Sequence, residues 1–164
     1  VSAVVMEYPQ DEAARNLDDE YFFGKDLLVC PLTLEDGTSR EVYLPEGNWY
    51  NFFTGEKIEG GRKLVMEADW NEMLVFARDG ALVPVAEPVI CVTEDTVFNI
   101  TVKSFGTNKT GSCVLYEDDF VSFNYESLAA KKQINVTVGD NGKFIVSGAK
   151  TSTKYHFLNC IVKD

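Results

Sequence analysis

Short apolar runs, each ended by turn-forming residues, are the feature of this sequence that most restricts its fold. Such runs recur about every eight to twelve residues, with Gly, Pro, Asn and Asp between them. The run at 27–32 (LLVCPL) is continuously apolar, whereas the run at 98–102 (FNITV) alternates with period two. The chain contains 19 Val and 11 Phe, which are residue types that favour strands. This pattern predicts an all-β fold made of antiparallel β-sandwiches.

The other strands and the few helical segments are predicted from the same pattern. Further strands are expected at 41–44, 49–53, 63–67, 73–77, 113–116, 133–138, 143–146 and 155–162. The sequence Asp140-Asn141-Gly142 predicts a hairpin turn between two of them. Short helices are expected only near the N-terminus, at 11–15 and at 18–24, where acidic residues come first and Gly24 comes last. Residues 1–26 therefore form a short irregular or helical segment ahead of the strands.

Charge is unevenly distributed along the chain. The net charge is −11, and all of it lies in residues 1–90, because residues 91–164 contain eight acidic and eight basic side chains. An acidic chain without clustered Lys and Arg is a poor partner for nucleic acid or for an anionic membrane. The shift in composition, together with an extended proline segment at 84–88, predicts two small sandwich domains joined there. A single sandwich with unevenly charged surfaces is the alternative.

Length and hydropathy exclude several other classes of protein. With 164 residues, 45% of them hydrophobic, the chain has enough apolar surface for a core. It contains no run of 18 apolar residues, and no basic segment followed by a signal-peptide core. We therefore expect a soluble chain with no membrane partner, and the sequence assigns it to no compartment.

Neither the cysteines nor the histidine form a pattern typical of catalysis or metal binding. Cys30, Cys91, Cys113 and Cys160 are far apart in sequence and lie in or beside apolar runs, which predicts buried free thiols. Because their number is even, disulfides remain an alternative. The sole histidine, His156, lies within a predicted strand. We therefore expect no metal site, no cofactor and no nucleophile–histidine pair.

Two acidic clusters raise the question of acid–base chemistry. They are 18–20 (DDE) and 117–119 (EDD). Paired carboxylates can transfer protons or bind calcium. The structural interpretation is favoured for both, namely a helix N-terminus for the first cluster and a turn after a strand for the second. Neighbouring strand residues point to opposite faces, so Asp118 and Asp119 are not expected to converge.

An aromatic group is the one candidate binding feature. Trp49, Tyr50, Phe52, Phe53 and Trp70 could form a platform on which a sugar stacks, or they could pack a segment that is buried on both faces at a sheet or domain junction. Core packing is the commoner use of such residues and is favoured. Trp49, Tyr50, Phe52 and Trp70 are the candidate residues for contact with a carbohydrate or with a neighbouring barrel domain.

The order of several longer segments is more specific than any one of them. These segments are MEYPQD (6–11), DEYFFGKDLLVCP (19–31), REVYLPEGNWYNFFTG (40–55), EGG (59–61), VFARDGALVP (75–84) and LYEDD (115–119). Taken in order, they resemble the end of the catalytic barrel and the following β-domains of glycoside hydrolase family 31, the α-glucosidase and α-xylosidase family. Leu74 stands where the family usually has proline, and Phe120 where it usually has glycine.

The resemblance implies a domain organisation and a function. Residues 1–26 would be a remnant of the barrel end, 27–90 the proximal sandwich and 91–164 the distal sandwich. In the family, the two catalytic aspartates of a retaining mechanism come from barrel strands upstream of what corresponds to Val1. We therefore expect no catalytic residue here, and a fragment that supports the (β/α)8 barrel of its parent chain and is inactive alone.

The resemblance also implies an interaction surface. The proximal sandwich packs under the barrel in the family, so residues 1–90 are expected to expose an apolar docking face, which dimerisation would cover in the isolated chain. The alternative function is a free-standing carbohydrate-binding or adhesion module, which would need an exposed row of aromatic side chains.

Overall fold

The computed structural model describes residues 1–33, 38–69, 71–93, 95–106, 112–117, 132–138, 144–147 and 154–163. Within these ranges, helix is confined to α1 (Val4–Glu7) and a 3₁₀ helix, η1 (Ala13–Asn16). The other elements are, in order, the strands β1 (Ser2–Ala3), β2 (Tyr21–Phe23), β3 (Leu27–Cys30), β4 (Ser39–Leu44), β5 (Asn48–Asn51), β6 (Lys57–Glu59), β7 (Arg62–Glu67), β8 (Leu74–Arg78), β9 (Leu82–Ala86), β10 (Phe98–Phe105), β11 (Ser112–Glu117), β12 (Lys132–Val138), β13 (Phe144–Ser147) and β14 (Tyr155–Lys163). The predicted all-β fold class is confirmed. None of the helices in the described ranges has the length and apolar character needed to cross a membrane.

The chain divides into two compact units. The first contains Val1–Asp79 together with Phe105, Gly106 and Lys163, and the second contains Gly80–Ser104 and the later strands. The sequence predicted two units, and each of them holds two sheets. The domain limits at residues 26 and 90 stay predictions.

The first unit is a sandwich of a large sheet and a small one. Six strands form an antiparallel sheet in the order β1-β2-β3-β8-β5-β6, and β4 pairs with β7 in a two-stranded sheet. In the large sheet, β3 and β8 are central, and Leu28 lies opposite Phe76. Both strands are buried along almost their whole length, which explains why their sequences are continuously apolar. By contrast, β7 alternates between exposed and half-buried residues.

One hydrophobic core fills the space between these two sheets. The large sheet contributes Phe22, Leu28, Cys30, Trp49, Leu74 and Phe76, and the small sheet contributes Val42 and Leu44. Val4 of α1 and Ala14 of η1 belong to the same core. The N-terminal residues are therefore part of the first sandwich, because their apolar side chains contribute to its core.

The helix predicted at 18–24 is wrong. Residues 21–23 form β2, which pairs with β1 on one side and with β3 on the other. Phe22 is fully buried in the core, whereas Phe23 is 61% exposed. Pairing on both edges supplies backbone hydrogen bonds that outweigh the local helix signals of acidic residues and Gly24. The helix predicted at 11–15 is confirmed in part, as the 3₁₀ turn η1.

The second unit is built from two three-stranded sheets. One has the order β14-β10-β9, and the other is the antiparallel meander β11-β12-β13. Leu82, Ile100 and Val102 form the centre of its core. Val138 lies opposite Phe144, so the two strands that flank the predicted hairpin turn do pair, while the turn itself lies outside the described residues. The same holds for Asp118 and Asp119 of the second acidic cluster.

The proline segment has a different role from the predicted connector. Most of it belongs to β9, in which Pro84 lies opposite Val102 of β10. In the described sheet β9 is an edge strand, a position where the missing amide of proline is tolerated. The sequence indicated the extended backbone correctly but not its place inside a sheet.

The cysteines follow the predicted pattern only in part. All four are free thiols. Cys30 is buried, and burial raises its pKa well above the usual range, so this thiol is unreactive. Cys113 and Cys160 are half-buried. The prediction of a buried thiol is wrong for Cys91, which is exposed because the segment around it does not enter the core.

Trp49 depends on a close backbone approach. Its indole Nε1 donates to the carbonyl of Pro45 at 2.8 Å, and its side chain is 1% exposed. A Cβ added at Gly60 would lie 2.0 Å from that carbonyl oxygen and 2.9 Å from the indole nitrogen. Only glycine therefore fits at position 60 beside this buried hydrogen bond.

We predict that Gly60→Ala destabilises the first unit by about 3 kcal/mol or more, since the methyl group forces the indole and the carbonyl apart. Gly24→Ala is the control without a steric clash, because Gly24 has nothing within 4 Å of an added Cβ, although its φ of 70° is in the left-handed region. This control should cost only about 1–2 kcal/mol, the strain of a left-handed residue. Urea denaturation measures both, and equal losses would contradict the steric explanation.

Candidate functional site

The N-terminal segment (residues 1–26) is attached to the first sandwich by three polar or charged contacts as well as by its apolar residues. We call these contacts, which centre on Arg40, Tyr43 and Arg78, the junction. Each one joins a side chain of the N-terminal segment to a strand of the sandwich. The junction is the candidate functional site, since the resemblance assigns the N-terminal segment to the end of a barrel.

Arg40 is the centre of the first contact. Its side chain is 5% exposed, and its Nη2 lies 2.8 Å from Asp19 Oδ2 and 3.3 Å from Glu20 Oε1. Its Nη1 donates to the main-chain carbonyls of Asp19, at 3.0 Å, and Pro31. Its Nε donates to the carbonyl of Glu41 at 3.1 Å. One buried guanidinium group therefore holds together the N-terminal segment, the end of β3 and β4.

Glu20 is buried with only one of its oxygens paired. Oε1 accepts hydrogen bonds from the Tyr43 amide, at 2.8 Å, and from Arg40. Oε2 is also buried, and no described residue is its partner. Burial raises the pKa of Glu20 to about 7 and outweighs the opposite effects of the Tyr43 amide and Arg40. Glu20 therefore exchanges a proton near neutral pH.

The second contact joins Asp11 to Tyr43. The Tyr43 hydroxyl donates to Asp11 Oδ2 at 2.6 Å, while Asp11 Oδ1 accepts from the Ala13 amide at 2.9 Å. Burial, followed by the hydrogen bond to Asp11, raises the pKa of Tyr43 to about 12. The hydroxyl therefore stays protonated and acts as a donor. Asp11 both starts η1 and attaches it to β4.

The third contact places Arg78 of β8 among three aromatic rings. Its guanidinium carbon lies 5.0 Å from the ring centroid of Phe22, 5.4 Å from that of Tyr8 and 5.9 Å from that of Trp49. Nε and Nη2 are buried without a hydrogen-bond partner among the described residues. The faces of the rings are therefore what stabilises this charge. Two of the three rings, Tyr8 and Phe22, come from the N-terminal segment.

The side chains of the junction serve to attach the N-terminal segment to the sandwich. Asp19 and Glu20 both face one guanidinium, so this carboxylate pair is engaged in holding Arg40. The described residues contain no group of three or more His, Cys, Asp or Glu placed to hold a metal ion. The interpretation of the first acidic cluster as a helix N-terminus is wrong, because Asp19 and Glu20 pair with Arg40 instead.

The predicted aromatic group is divided by the structure. Trp49 and Tyr50 are each 1% exposed, so core packing is confirmed for both and neither offers a free ring face to a sugar. Phe52 is half-buried and lies edge-on to Phe53, which is 56% exposed. Trp70 lies outside the described residues. A contact of Phe52 with a carbohydrate or a barrel stays a prediction.

The sequence interpretation missed Arg40, Tyr43 and Arg78. One signal was available, because all four arginines of the chain lie in residues 1–90. Two of them, Arg40 and Arg78, lie at the ends of apolar strands, where a buried charge needs a partner. Which partner each arginine would find depends on strand pairing, and local sequence does not contain that information.

Comparison with known proteins gives consistent matches. A family model described as "Glycosyl hydrolase family 31 C-terminal domain" matches residues 1–83. A 1,6-alpha-glucosyltransferase of Sporosarcina globispora is 33% identical over 159 residues, which are 93% of this chain and 12% of that protein. An alpha-xylosidase of Saccharolobus solfataricus is 34% identical over 124 residues, which are 75% of this chain and 17% of that protein.

Solved structures agree with these matches. A GH31 dextranase of Flavobacterium johnsoniae, complexed with isomaltotriose, superposes with a TM-score of 0.77 at 29% identity, over 88% of this chain and 18% of that one. A GH31 alpha-xylosidase of Xanthomonas citri superposes with a TM-score of 0.78 at 28% identity, over 99% of this chain and 18% of that one. This chain therefore spans less than a fifth of the length of each of these proteins.

We predict that Arg78→Met destabilises the first unit by about 1–2 kcal/mol, the value of a desolvated charge–ring contact. Arg78→Lys should destabilise it less, because lysine retains the positive charge beside the rings. Methionine and lysine have similar lengths, so their comparison separates the charge from the packing. The free energy of unfolding in urea is the measurement. If the two buried unpaired nitrogens cost more than the rings contribute, Arg78→Met would instead be more stable than the wild type.

We predict that Glu20→Gln changes the pH dependence of stability. Folding raises the pKa of Glu20 from its ordinary value of 4.5 to about 7. The stability that the folded chain gains from binding this proton is therefore complete below pH 4.5 and is lost as the pH rises through about 7. Glutamine mimics the protonated form. The melting temperature of Glu20→Gln, relative to wild type, should therefore be higher at pH 8 than at pH 5.

The control for this measurement is Glu12→Gln, which replaces an exposed carboxyl beside η1. Its melting temperature relative to wild type should be the same at both pH values. A difference between Glu20→Gln and wild type that does not change from pH 5 to pH 8 would show that Glu20 is charged throughout.

Proposed function

Because the chain belongs to glycosyl hydrolase family 31, we propose that it is the non-catalytic C-terminal part of a longer retaining α-glycosidase, the parent enzyme. The match accounts for only 12% to 18% of the length of these relatives, which is consistent with such a part. In this proposal the two sandwiches support the catalytic barrel of the same polypeptide. The parent enzyme hydrolyses α-glucosides or α-xylosides.

The observation that carries the proposal is the junction. The N-terminal segment, which would continue from the barrel, is fixed to the sandwich through Arg40, Tyr43 and Arg78. These contacts are buried or partly buried, so they are screened by water less than surface ion pairs are. A barrel attached to this segment would be held in one orientation. A flexible linker would leave the position of the barrel undetermined.

Apolar side chains of the same segment point outward. Phe22 and Val4 enter the core, but Phe23 of β2 and Met6 of α1 are 61% and 71% exposed. Successive strand residues face opposite sides, so β2 can contribute to the core and to a second surface at once. We assign Phe23 and Met6 to the docking face expected on residues 1–90, with the barrel as its partner. Dimerisation of the isolated chain through this face stays a prediction.

The names of the relatives support the proposed substrate class. The matched proteins carry names that refer to α-linked glucose or xylose, and one matched dextranase is complexed with isomaltotriose. Retaining glycosidases need two carboxylates about 5–5.5 Å apart across the scissile bond. The two neighbouring carboxylates of the junction, Asp19 and Glu20, pair with Arg40 instead. The parent enzyme would therefore supply both catalytic aspartates from its barrel.

We expect the 164-residue chain alone to release no product from aryl α-glucosides or aryl α-xylosides, while the parent enzyme turns over at least one of them. A chromogenic assay at equal molar concentration measures both. Turnover by the 164-residue chain would contradict the proposal, as would a parent polypeptide without α-glycosidase activity.

A second variant tests the supporting role itself. Tyr43→Phe in the parent enzyme removes the hydroxyl that donates to Asp11 and should lower the melting temperature of the barrel. The residual activity after heating measures this loss of thermal stability. Tyr21→Phe is the control, because Tyr21 also lies in the first unit and has a half-buried side chain outside the junction. Equal thermal inactivation of the two variants would show that the junction does not support the barrel.

A further inference from the structure

We propose that residues 88–92 (PVICV, the Ile90 segment) of the second unit are a docking surface for the catalytic part of the parent enzyme. This inference rests on the proposed function. It concerns a different unit from the docking face assigned above, and no contact of the junction contributes to it.

The Ile90 segment is apolar and exposed along its length. Ile90 is 105% exposed, Val92 60% and Val89 44%, and Cys91 between them is an exposed thiol. Single exposed apolar side chains are common on any protein surface. Four in succession are not, and in a folded protein such a run marks an interaction site.

The segment is bonded to β10 at its first end and is followed by a local turn at its other end. Before it, the Glu87 amide donates to the carbonyl of Asn99 at 3.0 Å, and Asn99 Nδ2 donates to Glu87 Oε2 at 2.8 Å. After it, the Thr93 amide donates to Thr96 Oγ1 at 2.7 Å, and the Thr96 amide donates to the Thr93 carbonyl at 3.1 Å. The bonds between Glu87 and Asn99 restrict the start of the segment, which lowers the entropy lost on docking.

Among the described residues, the core of the second unit does not include this segment. That core is centred on Leu82, Ile100 and Val102, which come from the neighbouring strands β9 and β10. The segment belongs to none of the described strands, and its four apolar residues from Val89 to Val92 are all exposed. A partner that contacts the segment from outside is required to bury them.

The rest of the same polypeptide is the occupant that the observations favour. The match to the 1,6-alpha-glucosyltransferase of Sporosarcina globispora covers 93% of this chain, so it includes the Ile90 segment, yet it accounts for only 12% of that protein. A tethered partner of this kind acts at a high effective concentration, so a small apolar contact suffices. A second copy docked symmetrically on this segment would bring the acidic side chains of Glu87 and Asp95, which flank it, close to those of its partner.

Cys91 allows the proposal to be tested directly, since its thiol lies in the middle of the segment. The rate of alkylation of Cys91 by iodoacetamide is measured by mass spectrometry of its peptide, in the 164-residue chain and in the parent enzyme. Buried Cys30 is the internal reference. We expect Cys91 to react at least about tenfold more slowly in the parent enzyme, the factor that 1.4 kcal/mol of docking free energy produces.

In the parent enzyme, Ile90→Ser should raise the alkylation rate of Cys91. The rate should approach the one measured in the 164-residue chain that carries the same substitution. Val65→Ser is the matched control, because Val65 is 74% exposed and lies on β7 of the first unit. That control should leave Cys91 protected. Restoration by both variants would indicate general loosening and would contradict a specific contact at Ile90.

The outcomes separate this proposal from the one on which it rests. An active parent enzyme in which Cys91 reacts as fast as in the 164-residue chain overturns the docking surface and leaves the proposed function intact. A parent polypeptide without α-glycosidase activity overturns the proposed function and, with it, this occupant. Protection that appears in the 164-residue chain as its concentration rises, with a dimer in light scattering, identifies a second copy and overturns the proposal.

Discussion

The buried guanidinium of Arg40 is the contact on which the first unit depends. It faces two carboxylates and three main-chain carbonyls that come from three separate parts of the chain. A buried charge is costly unless it is paired and hydrogen-bonded, so the segments that carry its partners must meet around it. The N-terminal segment is therefore held against β4 by a requirement of electrostatics as well as by apolar packing. For the same reason a barrel continuing from that segment would have a fixed position.

Arg40 and Arg78 attach the N-terminal segment to the sandwich through different kinds of interaction. Arg40 is satisfied by hydrogen bonds and opposite charges, whereas Arg78 lies among aromatic rings with two nitrogens unpaired in the described part of the chain. The first arrangement is directional and depends on the protonation of Glu20. The second is less directional and depends on the shape of the core. Together they join polar and apolar parts of the N-terminal segment to β4 and β8.

Much of the fold was predictable from the sequence, because strand signals are local. The central strands β3 and β8 were predicted from their continuous apolar runs, and β10 and β12 from alternation. Segment β2 was predicted as a helix, since three residues carry too little pattern to reveal pairing on both edges. The same limit applies to the site. The charges of Asp19, Glu20 and Arg40 were visible, but their convergence requires the residues just before β2 to meet β4, which belongs to the other sheet.

The sequence by itself determined the all-β class, the placement of most strands, the uneven charge and the order of motifs that assigns the chain to its family. These properties depend on residue types and on their spacing within a few positions. Only the tertiary structure decided which aromatic side chains are buried, which carboxylates meet Arg40, and that residues 88–92 stay outside the core. Each of those outcomes depends on contacts between residues distant in sequence, and local pattern does not encode such contacts.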